Sequence, residues 1–466
     1  MIYENPVRRG FFPDPSVIRV GSDYYMVNSS FQYFPAIPVS HSKDMIHWNI
    51  IGHAIENPDY LDLSDINDSH GIWASDISYW NGRFYIFATL RLNGDANAPV
   101  SESNHPPFRR QLIVSAEKAE GPWSKPVYIE LDDIDPSHFV DDILLPDGSR
   151  TYKHYMLIAP GVRALELSDD LTRAVGQVKT VWKGTGLRCP EGPHIWKHTL
   201  ENGDTWYYAI LAEGGTGYGH RISVARSKSL FGPYEESPYN PVMTQTDADS
   251  PIQRCGHGKP VQALDGSWWM YYLCARPLRD ADGKSYTVSG RETALDAIQF
   301  TDDGWFTVNS GKGPSLNATI AESVCEKINI SAFESDSFRQ NEKKMDLKNF
   351  QFVRNPDKNN FDFCSDEFKY TIFLQKGKLF QKEAKNTLLM REASHKIIVS
   401  VQLDFIPEES GDEAGLTSYY STTTYVSLSL RSDEKKRRIL LLAKNSGSGE
   451  SGLSKSQALP SGKVIL

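Results

Sequence analysis

The sequence predicts an all-β chain, a five-bladed β-propeller followed by a β-sandwich. Three observations carry this. Five short stretches with an acid or histidine each precede an aromatic-rich, strand-like run: Asp14-Pro15-Ser16, Trp73-Ala74-Ser75-Asp76, Asp135-Pro136-Ser137-His138, Glu191-Gly192-Pro193-His194 and Gly256-His257-Gly258. They recur about every fifty to seventy residues, the period of a multi-stranded propeller blade. Helical periodicity is scarce throughout. In a propeller the first strand of every blade lines the axis. A polar residue kept at one slot of five blades therefore converges on one point.

Each repeat reads in the same order. After the acid or histidine comes a turn, Gly21-Ser22-Asp23, Asn81-Gly82, Asp147-Gly148 or Asp265-Gly266. Asn-Gly and Asp-Gly between apolar runs are strong hairpin signals. A strand of alternating aromatic and aliphatic residues follows, led by Tyr24-Tyr25, Phe84-Tyr85, Tyr152 to Tyr155, Trp206-Tyr207-Tyr208 and Trp268-Trp269. Two repeats close with related outer segments, Ser115 to Trp123 and Ser227 to Tyr234, and Ser42 to Trp48 is similar to the first.

The propeller is assigned to residues 1–325 and the second domain to 326–466. Beyond about residue 330 the texture changes. Asn341 to Asn360 is polar and reads as loops with a short strand. Strand-like runs return at Ile397 to Phe405, Tyr425 to Leu430 and Ile439 to Leu442, and their alternation suggests a β-sandwich. Asp433 to Arg438 reads as a solvated hairpin turn, and Ser446 to Ser456 is rich in Gly and Ser. With few clear strands, this sandwich is expected to be truncated.

Aromatic residues make up 11% of the 466 residues, with 22 Tyr and 10 Trp, and flat rings suit both sheet surfaces and sugar faces. A net charge of −9 argues against nucleic acid or an anionic membrane as partner. No stretch approaches a membrane span, and the N-terminus has no basic region followed by an apolar run. The five cysteines match no zinc or disulfide framework. A cytoplasmic bacterial protein without a signal peptide is expected, with the oligomeric state left open to a homo-oligomer.

Four of the five opening stretches supply a carboxylate. Inverting cleavage of a glycosidic bond needs a carboxylate to activate water and a carboxylic acid to protonate the leaving oxygen, about 6.5–9.5 Å apart. The acid must stay protonated near neutrality, which a neighbouring carboxylate or a dry pocket achieves. Acids on separate blades around one axis meet these needs. On their own, Asp14 and Asp135 would read as turn residues, since Asp before Pro favours turns.

Phe12-Pro13-Asp14-Pro15-Ser16-Val17, Ile134-Asp135-Pro136-Ser137 and Glu191-Gly192-Pro193-His194 together resemble the three acidic motifs of glycoside hydrolase family 43. Ser30 to Pro35, Gly71-Ile72-Trp73-Ala74, Glu213 to Tyr218, Gly256-His257-Gly258 and Gly290-Arg291-Glu292-Thr293 match in the same order. The resemblance covers the whole propeller. It extends to Asp412 to Leu416, which is similar to part of the C-terminal sandwich in the β-xylosidase and α-L-arabinofuranosidase branch.

The resemblance implies Asp14 as general base, Glu191 as general acid and Asp135 as the residue that raises the Glu191 pKa and orients it. It implies substrate contacts from Phe31, Trp73, Thr216, His257 and Arg291. In some relatives the histidine equivalent to His257 belongs to a calcium or water cluster in the central channel, so His257 is also a metal candidate. A structural Ca²⁺ would sit there, and no cofactor is required for the chemistry. Asp76, the fourth acid, is expected to be structural. Relatives usually carry proline where Ser75 stands here. In this branch the later part of the sandwich sends an aromatic loop toward the active site, and this chain is expected to end before it. The expected function is an exo-acting, inverting removal of terminal pentose, as β-1,4-xyloside or α-L-arabinofuranoside, from xylan-derived oligosaccharides. The alternatives are a non-catalytic carbohydrate-binding propeller and a family member acting on another glycan such as arabinan.

Overall fold

The computed structural model describes residues 1–94, 108–325, 347–364, 369–383, 386–432, 438–446, 450–452, 457–458 and 463–466. Its N-terminal part holds five antiparallel sheets in chain order, each with four strands along its main path. The first strands of the sheets, taken one to five, are Ser16–Val20, Gly71–Trp80, Ile134–Leu144, Glu191–Thr199 and Gln253–Gln262. These five strands pack side by side in order, and the fifth packs back on the first.

Five apolar clusters explain why the sheets stay together, because each fills the space between two neighbours. Val27, Ile37 and Val39 of the first sheet meet Ile77, Ile86 and Ala88 of the second. Phe87 and Ile113 meet Met156 and Ile158. Tyr155 and Leu157 meet Ala209 and Leu211. Tyr208 and Ile210 meet Met270 and Tyr272. Val17, Tyr24 and Met26 meet Trp269, Tyr271 and Leu295, so the fifth cluster joins the last sheet to the first. Alternate residues of the aromatic strands thus serve opposite neighbours, as the period-2 pattern requires.

The predicted turns form the hairpins between first and second strands. Val20 pairs with Asp23, Trp80 with Arg83, Leu144 with Arg150 and Gln262 with Trp268. Four of the first strands share a break in register near their start, between Ile72 and Ser75, Ile134 and Ser137, Glu191 and His194, and Gly256 and Gly258. A bulge bends a strand and re-aims its side chains. Here the bulges fall on the motifs singled out from the sequence.

In the C-terminal part, Glu413–Ser421, Thr424–Ser432 and Arg438–Ser446 form an antiparallel sheet extended by short strands. The runs at Tyr425 and Ile439 lie in its second and third strands. Residues 433–437 lie outside the described residues, although Ser432 pairs with Arg438 on either side of them. The run Ile397 to Phe405 departs from expectation. Only Gln402–Leu403 is a strand, and Ile398 is 97% exposed, so this apolar alternation finds no core. The short strand in the polar stretch is Phe350–Val353, and it pairs with Tyr33–Phe34 of the N-terminal part. No described helix is long and apolar enough to cross a membrane.

Candidate active site

Asp14, Asp135 and His257 share an unusual backbone state, with φ of 52°, 57° and 48°. Non-glycine residues seldom occupy this left-handed region, and such strain collects at functional sites. Gly192, next to Glu191, has φ of 61°. A Cβ on it would lie 3.0 Å from His257 Nε2, so glycine lets the fourth and fifth first strands close on one another at this point.

Asp14 is buried. Its Oδ1 accepts a hydrogen bond from Arg291 at 2.8 Å, and its Oδ2 accepts one from the Ser29 hydroxyl at 2.6 Å. His257 Nδ1 stands 3.7 Å from the same Oδ1. Burial pushes the Asp14 pKa up. Arg291, His257 and the Ser29 hydroxyl outweigh it and hold the carboxyl below its ordinary value. Arg291 reaches this place because its neighbours lock the strand. Glu292 accepts from the backbone of Gly10 at 2.8 Å and binds Arg276 through both oxygens, and the Thr293 hydroxyl donates to Phe12 O at 2.7 Å.

Glu191 is half-buried, and its pKa is pushed up to about 8, first by burial and then by the charges of Asp135 and Asp14. Arg291 and Arg188 pull it partly back. Asp135 is also raised, by burial and by Asp14, against His257 and the backbone N–H of Gly192, which donates to its Oδ2 at 2.9 Å. The three acids thus form one electrostatic unit around Arg291 and His257.

Phe31 lies 5.6 Å from the ring of Phe11, and the Arg291 guanidinium is 5.4 Å from the Phe31 ring. Its backbone exchanges hydrogen bonds with Ile72 at 2.7 and 2.9 Å, beside Trp73. The Trp73 indole donates to Ser69 O at 2.8 Å. Thr216 is exposed on the loop between Gly214 and Gly219. Arg188 lies against this loop, 3.3 Å from where a Gly215 Cβ would be.

Asp76 has partners of its own. Its buried carboxylate binds the Lys259 ammonium, accepts from the Ser16 hydroxyl at 2.7 Å and from the His138 N–H at 2.9 Å. Lys259 also donates to Ile77 O at 3.0 Å. Among the described residues no three His, Cys, Asp or Glu side chains are grouped to hold a metal. Beside Asp76, Asp135, His194 and His257 lies a cavity of about 10 Å³, room for about one water. With the Lys259 ammonium already paired to it, the Asp76 carboxylate is not free to hold a divalent cation beside this cavity.

Two neighbours of the acids escaped the sequence reading. His220 is buried, donates from Nδ1 to Arg254 O at 3.2 Å, and leaves Nε2 without a partner among the described residues. Burial lowers its pKa to about 4, so it is a neutral group near Asp14. Arg188 acts on Glu191 only through space. Neither residue stands in a repeated slot, and only proximity in the fold marks them.

The family model for glycosyl hydrolases family 43 matches residues 3–306, and the model for a beta xylosidase C-terminal Concanavalin A-like domain matches residues 335–466. A non-reducing end alpha-L-arabinofuranosidase of Bacteroides ovatus is 34% identical over 96% of this chain and 76% of its own length. A xylan 1,3-beta-xylosidase of a Vibrio species is 31% identical over 95% of this chain and 82% of its own. The crystal structure of the GH43 BlXynB protein from Bacillus licheniformis superposes with a TM-score of 0.86 at 46% identity, covering 100% of this chain and 86% of that one. Over most of its length, and with the acidic motifs gathered at one place, this chain belongs to glycoside hydrolase family 43 and is a glycoside hydrolase.

Proposed function

We propose that this glycoside hydrolase inverts the anomeric centre while removing single pentose units from the non-reducing ends of xylan-derived oligosaccharides, as β-xylosides, α-L-arabinofuranosides or both. One observation carries the reading. Two carboxyls of one cluster are driven apart, Asp14 below its ordinary value and Glu191 up to about 8. A pair so separated supplies an ionised base and a protonated acid at the same pH. Asp14 takes a proton from the attacking water, and Glu191 gives one to the leaving oxygen. Asp135 keeps Glu191 protonated and ties its backbone through Gly192. Phe31 and Trp73 form the apolar wall for the sugar ring, Arg291 and His257 meet its hydroxyls, and Thr216 contributes from the loop. Relatives named for both xylosidase and arabinofuranosidase activity support both pentoses.

The five sheets are read as the blades of a five-bladed propeller, supported by the order of their first strands and the five inter-sheet cores. The division between propeller and sandwich is placed at 325–326. The chemistry is assigned to the acids without a required metal. Activity is expected to survive exhaustive chelation, and its loss with recovery on adding Ca²⁺ would overturn that assignment.

The function is tested by hydrolysis of nitrophenyl β-xyloside and nitrophenyl α-arabinofuranoside, with proton NMR of the first product. Turnover with inverted configuration is expected. Retained configuration would demand a covalent intermediate and a closer carboxylate pair, and the roles given to Asp14 and Glu191 would fail.

A further inference from the structure

We infer that Arg354, supplied by the C-terminal domain, is a positioning residue for the sugar subsite. It acts through Asp68 and Gln32 on the segments that carry Trp73 and Phe31. The inference rests on the pentosidase reading, which gives those two aromatics their place against the sugar.

Arg354 is 1% exposed, and its backbone is left-handed with φ of 70°. It follows directly on Phe350–Val353, the strand paired with Tyr33–Phe34. Its Nε donates to Ile66 O at 2.6 Å and its Nη2 to Asp68 Oδ1 at 2.8 Å. The other oxygen of Asp68 accepts from the Thr422 backbone N–H at 2.8 Å and from the Thr422 hydroxyl. Two points of the C-terminal domain, far apart in sequence, therefore grip one carboxylate.

The next links lead to the subsite. The Arg354 N–H donates to Gln32 O at 2.9 Å, and Gln32 Oε1 accepts from the Ser69 N–H at 3.1 Å. Ser69 O accepts from the Trp73 indole at 2.8 Å. Gln32 is the immediate neighbour of Phe31, whose backbone is bonded to Ile72. A Cβ on Gly71 would lie 2.2 Å from Phe31 O, so the two segments touch with no slack. Both platform residues thus hang from a network whose far end is Arg354.

A buried ion pair gives little net stability compared with apolar residues of similar volume, but breaking it leaves an uncompensated charge. What it fixes is geometry, because a guanidinium fork accepts few arrangements. Sub-ångström placement of a wall that binds sugar shows in substrate affinity, not in proton transfer by acids on other strands.

The test compares Arg354→Gln, Arg354→Lys and Thr422→Val with the wild type on nitrophenyl β-xyloside, across a full pH profile. Xylose binding followed by tryptophan fluorescence gives a readout independent of turnover. Arg354→Gln is expected to raise KM and the xylose dissociation constant roughly 5–20-fold, with kcat within about 3-fold and both pH limbs unmoved. Arg354→Lys keeps the charge but cannot span Ile66 and Asp68 together, and should recover part of the loss. Thr422→Val, at the outer end of the grip, should give a smaller change of the same kind and keeps the question answerable if Arg354→Gln does not fold. A lowered melting temperature with unchanged KM and xylose binding would make Arg354 a scaffold residue only and overturn the inference. A fall in kcat with shifted pH limbs would overturn it equally, since the effect would then run through the acids. Wild-type protein that binds xylose but hydrolyses neither glycoside would defeat the enzymatic reading and leave the binding arm to decide on Arg354. Failure to bind xylose at all would remove the subsite and this role with it.

Discussion

Glu191 and Asp14 are chemically similar carboxyls with opposite tasks, and their neighbours make the difference. If Glu191 is the proton donor, its value depends on how badly the leaving group needs a proton. Glu191→Gln should slow xylobiose cleavage by roughly 10²–10⁴-fold, the span of lost general-acid catalysis, and slow an activated aryl xyloside far less. Asp14→Ala should damage both substrates alike, because water always needs its base. Equal loss on both substrates in Glu191→Gln would contradict the assignment.

The same two groups set the pH profile. The rate should rise as Asp14 ionises, below the ordinary carboxylate range because Arg291 and His257 face it. It should fall as Glu191 loses its proton near pH 8. Asp135→Asn removes a negative charge beside Glu191, makes it a stronger acid, and should move the alkaline limb down; an unmoved limb would show that burial and Asp14 set the value without it. Stability follows the same linkage. A carboxyl raised by folding favours the folded state fully below its unfolded pKa, and that contribution is lost as pH rises through the folded value of about 8. The melting temperature should therefore drop across this window in the wild type and drop less in Glu191→Gln, as thermal scans at several pH values would show.

At the scale of the element, the recurring bulge deserves the weight that sequence motifs usually receive. It interrupts an otherwise regular first strand at the acid or histidine motif, in four of the five sheets. Gly192→Ala tests this directly. The new Cβ would meet His257 Nε2 at 3.0 Å, and the left-handed backbone would cost about 1–2 kcal/mol. The protein should stay folded by circular dichroism while kcat/KM falls at least about tenfold, the scale expected when catalytic groups are displaced by a fraction of an ångström. Full activity would mean that the contact between these two strands is not what aligns the acids.

At the scale of the whole molecule, the two parts of the chain are not independent. Phe350–Val353 completes its sheet on Tyr33–Phe34, and Asn355 bonds Leu61 and Leu63 through both ends of its amide. Arg354 would be left as a charge without its partners if the C-terminal part stood alone. Residues 326–466 expressed separately should therefore show no cooperative melt in calorimetry, and a sharp two-state transition would refute this dependence.

The all-β class, the hairpin positions and the grouping of Asp14, Asp135 and Glu191 were legible in the residues, because turn chemistry and a period of two are local properties and repeated slots report a shared position. Arg291 and His257 were legible only as members of an ordered motif set. The run Ile397 to Phe405 misled for the converse reason: alternation records what a strand could bury, and burial depends on a partner sheet that local pattern cannot name. His220 and Arg354 were invisible, since the groups they act on, Asp14 and Asp68, lie far from them in the chain, and Arg188, three residues before Glu191, stands in no repeated slot. The left-handed backbone of Asp14, Asp135 and His257 was equally hidden, as neither Asp nor His demands it. Local sequence thus determined which elements form and which carboxyls they carry. Tertiary structure decided which carboxyl ionises, because burial and the distance to Arg291 are set only when the strands close on one another.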